Sequence, residues 1–212
     1  MIRYEDCVID LETTDSGNNS QILSIGAVLL NKSGGPLGPT FYRVIDRASC
    51  KGLGFTTSQA TMYWWGKQSE DARKVFTDPG MELTQALTEF AKFLEDNSND
   101  VKVWGNGSDF DNVILKNAYS VTKEKLPWDY RNNRCYRTYQ NIASVRPRSV
   151  TFVGVRHNAL DDAIHEAKNL QALYKANTSL LRLVTYKITR LIKKGFTNVQ
   201  FRLSKQRQQD KY

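Results

Sequence analysis

Two periods of hydrophobic pattern divide the chain. Up to residue 45 the apolar positions come in short, strand-length runs. Val8 and Ile9 lead into Asp10, residues 21–30 carry Ile22, Ile25, Val28, Leu29 and Leu30, and residues 41–45 alternate. Such runs predict three strands. Gly34, Gly35, Pro36 and Gly38 mark a turn between the second and third, so an antiparallel meander is expected. From residue 57 the period lengthens to that of a helix. Residues 57–65 and 69–76 predict short helices, the latter with Ser69 as N-cap. Residues 82–94 predict a longer one, with Leu83, Leu87, Phe90 and Leu94 on one face.

Residues 101–104 read as a short buried strand, and Gly105-Asn106-Gly107 turns the chain into a helix over residues 110–118. Residues 123–136 are polar and irregular, and 138–145 and 159–175 are helical. Residues 180–194 place Leu181, Val184, Ile188 and Leu191 at helical spacing among Lys and Arg. Strands first and α/β alternation afterwards predict one α/β domain over residues 1–179, extended by a basic helix and tail at 180–212. A chain of 212 residues buries an adequate core without staples.

Composition narrows the class. Hydrophobic residues are 40% and charged residues 25%, a globular balance. No apolar run approaches the roughly 20 residues that span a bilayer, so no membrane partner is expected. The first residues carry acids where a signal peptide carries an apolar stretch, and a cytoplasmic location is expected. Cys7, Cys50 and Cys135 are odd in number and far apart, forming neither a zinc pattern nor a disulfide framework.

Net charge is +8, and its distribution says more than its total. Residues 180–212 hold nine Lys/Arg and one acid, and residues 123–156 hold eight and two. Residues 1–122 hold 11 basic and 16 acidic residues. Acid gathered early and base gathered late suit a protein that holds a polyanion beside cations it binds itself.

Three motifs carry candidate chemistry. Asp10 and Glu12 end a hydrophobic strand two residues apart, so both side chains face one side and can converge on a hard divalent cation. In the second, Asp109 and Asp111 flank Phe110 at a helix start after the glycine turn; helix capping accounts for one of them, with Asp109 the candidate N-cap. In the third, His157 precedes Asp161 and Asp162 at the opening of the 159–175 helix. Histidine is the usual side chain for deprotonating water near neutrality. His165 reads as a surface or half-buried residue within that helix.

In this order the motifs resemble the DEDDh exonucleases, whose pattern is D-x-E, then F-D at a helix start, then H-x-x-x-x-D. Tyr63-Trp64-Trp65, Gln68-Ser69-Glu70-Asp71-Ala72-Arg73 and Arg156-His157-Asn158-Ala159-Leu160-Asp161-Asp162-Ala163 resemble the branch with the T-even phage exonuclease A and the mycobacterial adenosine-preferring exoribonuclease. The resemblance implies an RNase H-like fold, a central mixed sheet flanked by helices, and release of 5′-mononucleotides from a 3′ end. It implies Asp10, Glu12, Asp111 and Asp162 as ligands of two divalent cations, Mg²⁺ or Mn²⁺, about 3.5–4 Å apart, with His157 as the base. Ideal helix geometry favours Asp161 as the partner of His157; the family spacing favours Asp162, provided His157 lies before the helix.

Substrate contacts are expected from Thr13 and Thr14, from Trp65 by stacking, and from Arg156 with Arg131, Arg134, Arg137, Arg146 and Arg148 as the phosphate surface. Three adjacent helical aromatics cannot share a face, so at least one of Trp64 and Trp65 is expected in the core. The resemblance leaves RNA narrowly ahead of DNA, and a homodimer open. The rivals are a structure-specific endonuclease on the same fold and a catalytically idle nucleic-acid-binding or host-directed interaction protein.

Overall fold

The glycine-rich turn sets the first half of the sheet. In the computed structural model, which describes residues 3–178, 183–185 and 188, β1 (Asp6–Thr13), β2 (Ile22–Leu30) and β3 (Thr40–Val44) form the expected antiparallel meander. β4 (Lys102–Gly105) then returns parallel to β1, and β5 (Asn133–Cys135) adds parallel to β4. The sheet order is β3-β2-β1-β4-β5, which puts the strand carrying Asp10 and Glu12 in the centre.

The helices are α1 (Gln59–Trp65), α2 (Glu70–Arg73), α3 (Leu83–Asn97), α4 (Asp111–Thr122), α5 (Tyr136–Ile142) and α6, residues 159–178. Their starts are chemically marked. Ser58 caps α1 through Thr61 N, Ser69 caps α2 through Ala72 N, and Glu82 caps α3 through Gln85 N. Asp109 does not cap α4. Phe110 occupies that position without a side-chain bond, and Asp109 is exposed.

Strand parity splits the core. Cys7, Ile9 and Leu11 point to one face of the sheet and pack with Leu83, Leu87, Phe90 and Leu94 of α3 and Ile114, Leu115 and Tyr119 of α4. Val8 points to the other face, where Val28, Leu30 and Trp104 meet Ala163, Ala167, Leu170 and Leu173 of α6. Asp6, Asp10 and Glu12 share the parity of Val8, so three carboxylates stand on the α6 side. Asp6 is satisfied at the far end by Trp104 Nε1 at 2.8 Å and the Tyr174 hydroxyl at 3.3 Å. A smaller cluster of Leu23, Val44, Trp65, Ala72 and Val75 anchors α1 and α2.

Residues 123–136 were expected to be irregular, yet they contain β5. Three residues of intermediate burial on a sheet edge, Asn-Arg-Cys, are too short and polar to show a period. The amphipathic pattern over residues 180–194 lies largely outside the described residues. Among the described ones, Leu183, Val184 and Ile188 are exposed, and no described helix is long and apolar enough to cross a membrane.

Candidate active site

The site forms where α6 begins over β1. Gly26 pairs with Asp10 across the β1–β2 ladder, and a Cβ there would overlap the backbone of Ala159 and Leu160. Only glycine lets the first turn of α6 press onto the sheet at that point. The contact brings Asp162 and His157 over Asp10 and Glu12.

Asp111 reaches the same place from the other side. β1 and β4 pair only as far as Val8 and Trp104, so the Leu11 N–H has no strand partner on that edge. Asp111 accepts from it at 3.1 Å and from Asn106 N at 3.0 Å. A buried donor must be satisfied, and this pair of bonds fixes the carboxylate beside Asp10. Asp111 is 2% exposed.

His157 lies in the turn before α6, with φ of 65°. Its N–H donates to Asp162 Oδ2 at 2.7 Å, and its ring meets Trp64 edge-on at 4.8 Å between centroids. Because His157 precedes the helix, the helical-face argument for Asp161 does not apply. Asp161 turns toward the preceding loop and accepts from Val155 N at 2.7 Å. One ligand atom each from Glu12, His157 and Asp162 lie within 4.8 Å of one another.

The acids repel. Burial, then Asp111, Glu12, Glu166 and Asp162, hold Asp10 well above the usual carboxylate range. Burial pushes Glu12 up to about 8, with Asp162 and Asp111 adding to it. Asp111 rises only to about 6: burial raises it, while the N–H groups of Asn106 and Leu11 hold it down. Asp162 is raised by burial against the His157 N–H bond.

Glu166, which none of the three sequence motifs includes, belongs to this group. It lies one helical turn beyond Asp162, the i,i+4 position on the same face of α6, and that spacing was the available signal. Burial, then Asp111, pushes it up to about 8. His165 is half-buried at the cleft, its ring 5.1 Å from Phe152; burial, then Arg156, pulls its pKa below the usual value.

Asp10, Glu12, His157, Asp162, His165 and Glu166 line a cleft of ≈ 650 Å³ with Thr13, Trp64 and Arg156. Thr14 is not presented to it. Fully buried, its hydroxyl bonds Thr56 O at 3.0 Å and Thr57 Oγ1 at 3.1 Å, tying β1 to the loop before α1. Trp65 touches the cleft with little surface: it is 2% exposed, its Nε1 donates to Thr13 O at 2.9 Å, and it anchors the small core cluster. Trp64, 41% exposed, presents aromatic surface to the cleft. Of the arginines, Arg156 lines the cleft with its guanidinium 4.5 Å from the Phe152 ring centroid, and Arg137 acts on Asp111 and Glu166. Arg131 is paired with Asp129 at 2.6 Å and points elsewhere.

The donor set suits hard divalent cations. It is carboxylate oxygen with one imidazole, and none of the three free cysteines lines the cleft. Among the described residues no Lys or Arg forms an ion pair with these acids.

A family model described as the 3'-5' exoribonuclease Rv2179c-like domain matches residues 5–174. No curated protein matches the sequence. Among solved structures, the nuclease domain of 3'hExo, a DEDDh family member bound to rAMP, superposes with a TM-score of 0.56 at 20% identity, covering 82% of this chain and 93% of that one. Apo Exonuclease I gives 0.58 at 14% identity over 88% of this chain and 45% of that one. A moderately thermophilic Exonuclease I from Methylocaldum szegediense gives 0.56 at 13%, over 80% and 41%. The shared architecture is the RNase H-like exonuclease fold.

Proposed function

The chain belongs to the 3'-5' exoribonuclease Rv2179c-like family of DEDDh exonucleases, and from that premise we propose that it shortens single-stranded RNA from the 3′ end, releasing 5′-mononucleotides with two bound Mg²⁺ or Mn²⁺ ions. The observation that carries this reading is the convergence of Glu12, His157 and Asp162 within 4.8 Å, beside Asp10 and Asp111, at an open cleft.

Asp10, Glu12, Asp111 and Asp162 would hold the cations. When bound, these supply positive charge to the phosphate oxygens and lower the pKa of water. The other roles fall to the protein. Asp111 is oriented by two backbone N–H groups before any ligand arrives, which removes reorganisation from the reaction. His157 takes the proton of the attacking water at a ring nitrogen, held in place by the Trp64 edge contact and the left-handed turn. Trp64 stacks on a terminal base, and Arg156 and Arg137 draw the phosphodiester toward an otherwise acidic centre. The RNA preference rests on the family, whose model describes an exoribonuclease.

A panel of 3′-labelled single- and double-stranded RNA and DNA, digested with Mg²⁺ or Mn²⁺ beside Asp10→Ala, tests the proposal. Mononucleotide release from single-stranded RNA, abolished in Asp10→Ala, is expected. Internal cuts would indicate an endonuclease, faster loss of DNA would overturn the RNA assignment, and binding without turnover would make the chain a binding module.

A further inference from the structure

Glu166 is 8% exposed and faces the cleft from the second turn of α6. Its two oxygens differ sharply. Oε1 accepts from Asn106 Nδ2 at 2.5 Å. Oε2 is buried and has no hydrogen-bond partner. Buried polar atoms in folded proteins are almost always satisfied, and a buried carboxylate oxygen without a donor is costly. The Asn106 bond alone does not explain the residue, because a glutamine would accept it equally well and carry no charge. Once ionised, the carboxylate needs a positive partner at Oε2. Among the described residues no Lys or Arg is bonded to it; Arg137 acts on it only through space.

The surrounding acids suggest which position it serves. Glu12 and Asp162 share the compact group with His157. Asp111 and Glu166 are joined instead by Asn106, whose N–H donates to Asp111 Oδ2 and whose side-chain amide donates to Glu166 Oε1. Asp10 lines the same cleft as Glu12, Asp162 and Glu166.

We propose that Glu166 is an additional metal ligand of this site, its free Oε2 completing a divalent-cation position with Asp10 and Asp111 that is distinct from the one at Glu12 and Asp162. The inference rests on the metal-dependent reading above. It assigns Asn106 the task of aiming both carboxylates at that position.

Calorimetric titration with Mn²⁺ alone, with electron paramagnetic resonance counting free ion, separates the two ideas. Wild-type protein is expected to bind two ions, and Glu166→Gln to bind one of them about tenfold or more weakly while keeping the other. Melting in EDTA should be unchanged or higher in Glu166→Gln, because the substitution keeps the volume and the Asn106 bond. Equal affinities for both ions in variant and wild type would overturn the role of Glu166 and leave the metal-dependent reading intact. No binding by wild type would overturn both. Collapse of the EDTA melt in both Glu166→Gln and Glu166→Asp would make the residue structural and also overturn the proposal.

Discussion

Gly26 stands across the β1–β2 ladder from Asp10, and the space a side chain would need there is filled by the backbone of Ala159 and Leu160. One missing methyl group therefore sets how closely the helix bearing Asp162 and Glu166 approaches the strand bearing Asp10 and Glu12. Gly26→Ala should lift the start of α6, costing about 1–3 kcal/mol or more of stability and most of the nuclease activity. Urea unfolding and a nuclease assay check this together; a stable, active Gly26→Ala would show that α6 can be reseated freely.

Crowded acids give the fold a pH dependence of definite sign. Glu12 and Glu166 rise from an ordinary value of 4.5 to about 8. Between those values the native protein holds protons that the unfolded chain has released. Their contribution to stability is therefore full below about 4.5 and lost as pH rises through about 8. Melting in EDTA should fall in temperature across this window, and millimolar Mn²⁺ should raise it most at the alkaline end. A melting temperature that climbs with pH in EDTA, or ignores Mn²⁺, would contradict the picture of a repelling buried cluster.

Adjacent tryptophans should behave as different kinds of residue. Trp65→Ala removes a buried ring and its bond to Thr13 O, and should cost about 3–5 kcal/mol in unfolding. Trp64→Ala should leave the melt nearly unchanged and raise KM, since stacking on one base contributes about 1–3 kcal/mol. Denaturation curves and initial rates on one oligonucleotide separate the two.

His157 is placed to act as a base, but one of its ring nitrogens also lies within 4.8 Å of Glu12 and Asp162 oxygens, near enough to share a cation with them. His157→Ala should lower kcat by about 10²–10⁴-fold while Mn²⁺ affinity stays near that of wild type. A loss of affinity matching the loss of rate would make His157 a ligand instead.

Much of this was legible in the sequence, and the exceptions share a cause. The meander and the cores of α3 and α6 follow from periods long enough to count, and the Asp10–Glu12 pair from strand parity alone. What stayed hidden depends on the partners of single atoms. Thr14 has the composition of a substrate contact, yet its hydroxyl closes a loop on Thr56 and Thr57. Asp109 sits where a cap belongs, but Asp111 is drawn inward by the unpaired Leu11 N–H, and Phe110 takes the cap position. Trp65, expected to stack on a base, is buried instead, because the face that α1 buries is set by the Leu23–Val75 cluster, not by α1 itself. Glu166 had a readable spacing from Asp162, but only the proximity of Asn106 and Asp111 shows that this face of α6 meets the site.

The choice between Asp161 and Asp162 remains the sharpest test of the site, because the two acids are adjacent and their surroundings differ completely. Asp162 shares the cleft with Glu12 and is held by the His157 N–H. Asp161 faces Val155 N and the Gly154 turn. Cation-mediated stabilisation of a transition state supplies several kcal/mol, and each ~1.4 kcal/mol is a decade in rate. Asp162→Asn should therefore lose about 10²–10³-fold in kcat with little change in the EDTA melt. Asp161→Ala should do the reverse, losing about 1–2 kcal/mol of stability with its loop bond while kcat stays within a few-fold of wild type. Parallel melts and single-turnover rates decide it: full activity in Asp162→Asn would move the cation ligand off α6's first turn and dismantle the site as drawn.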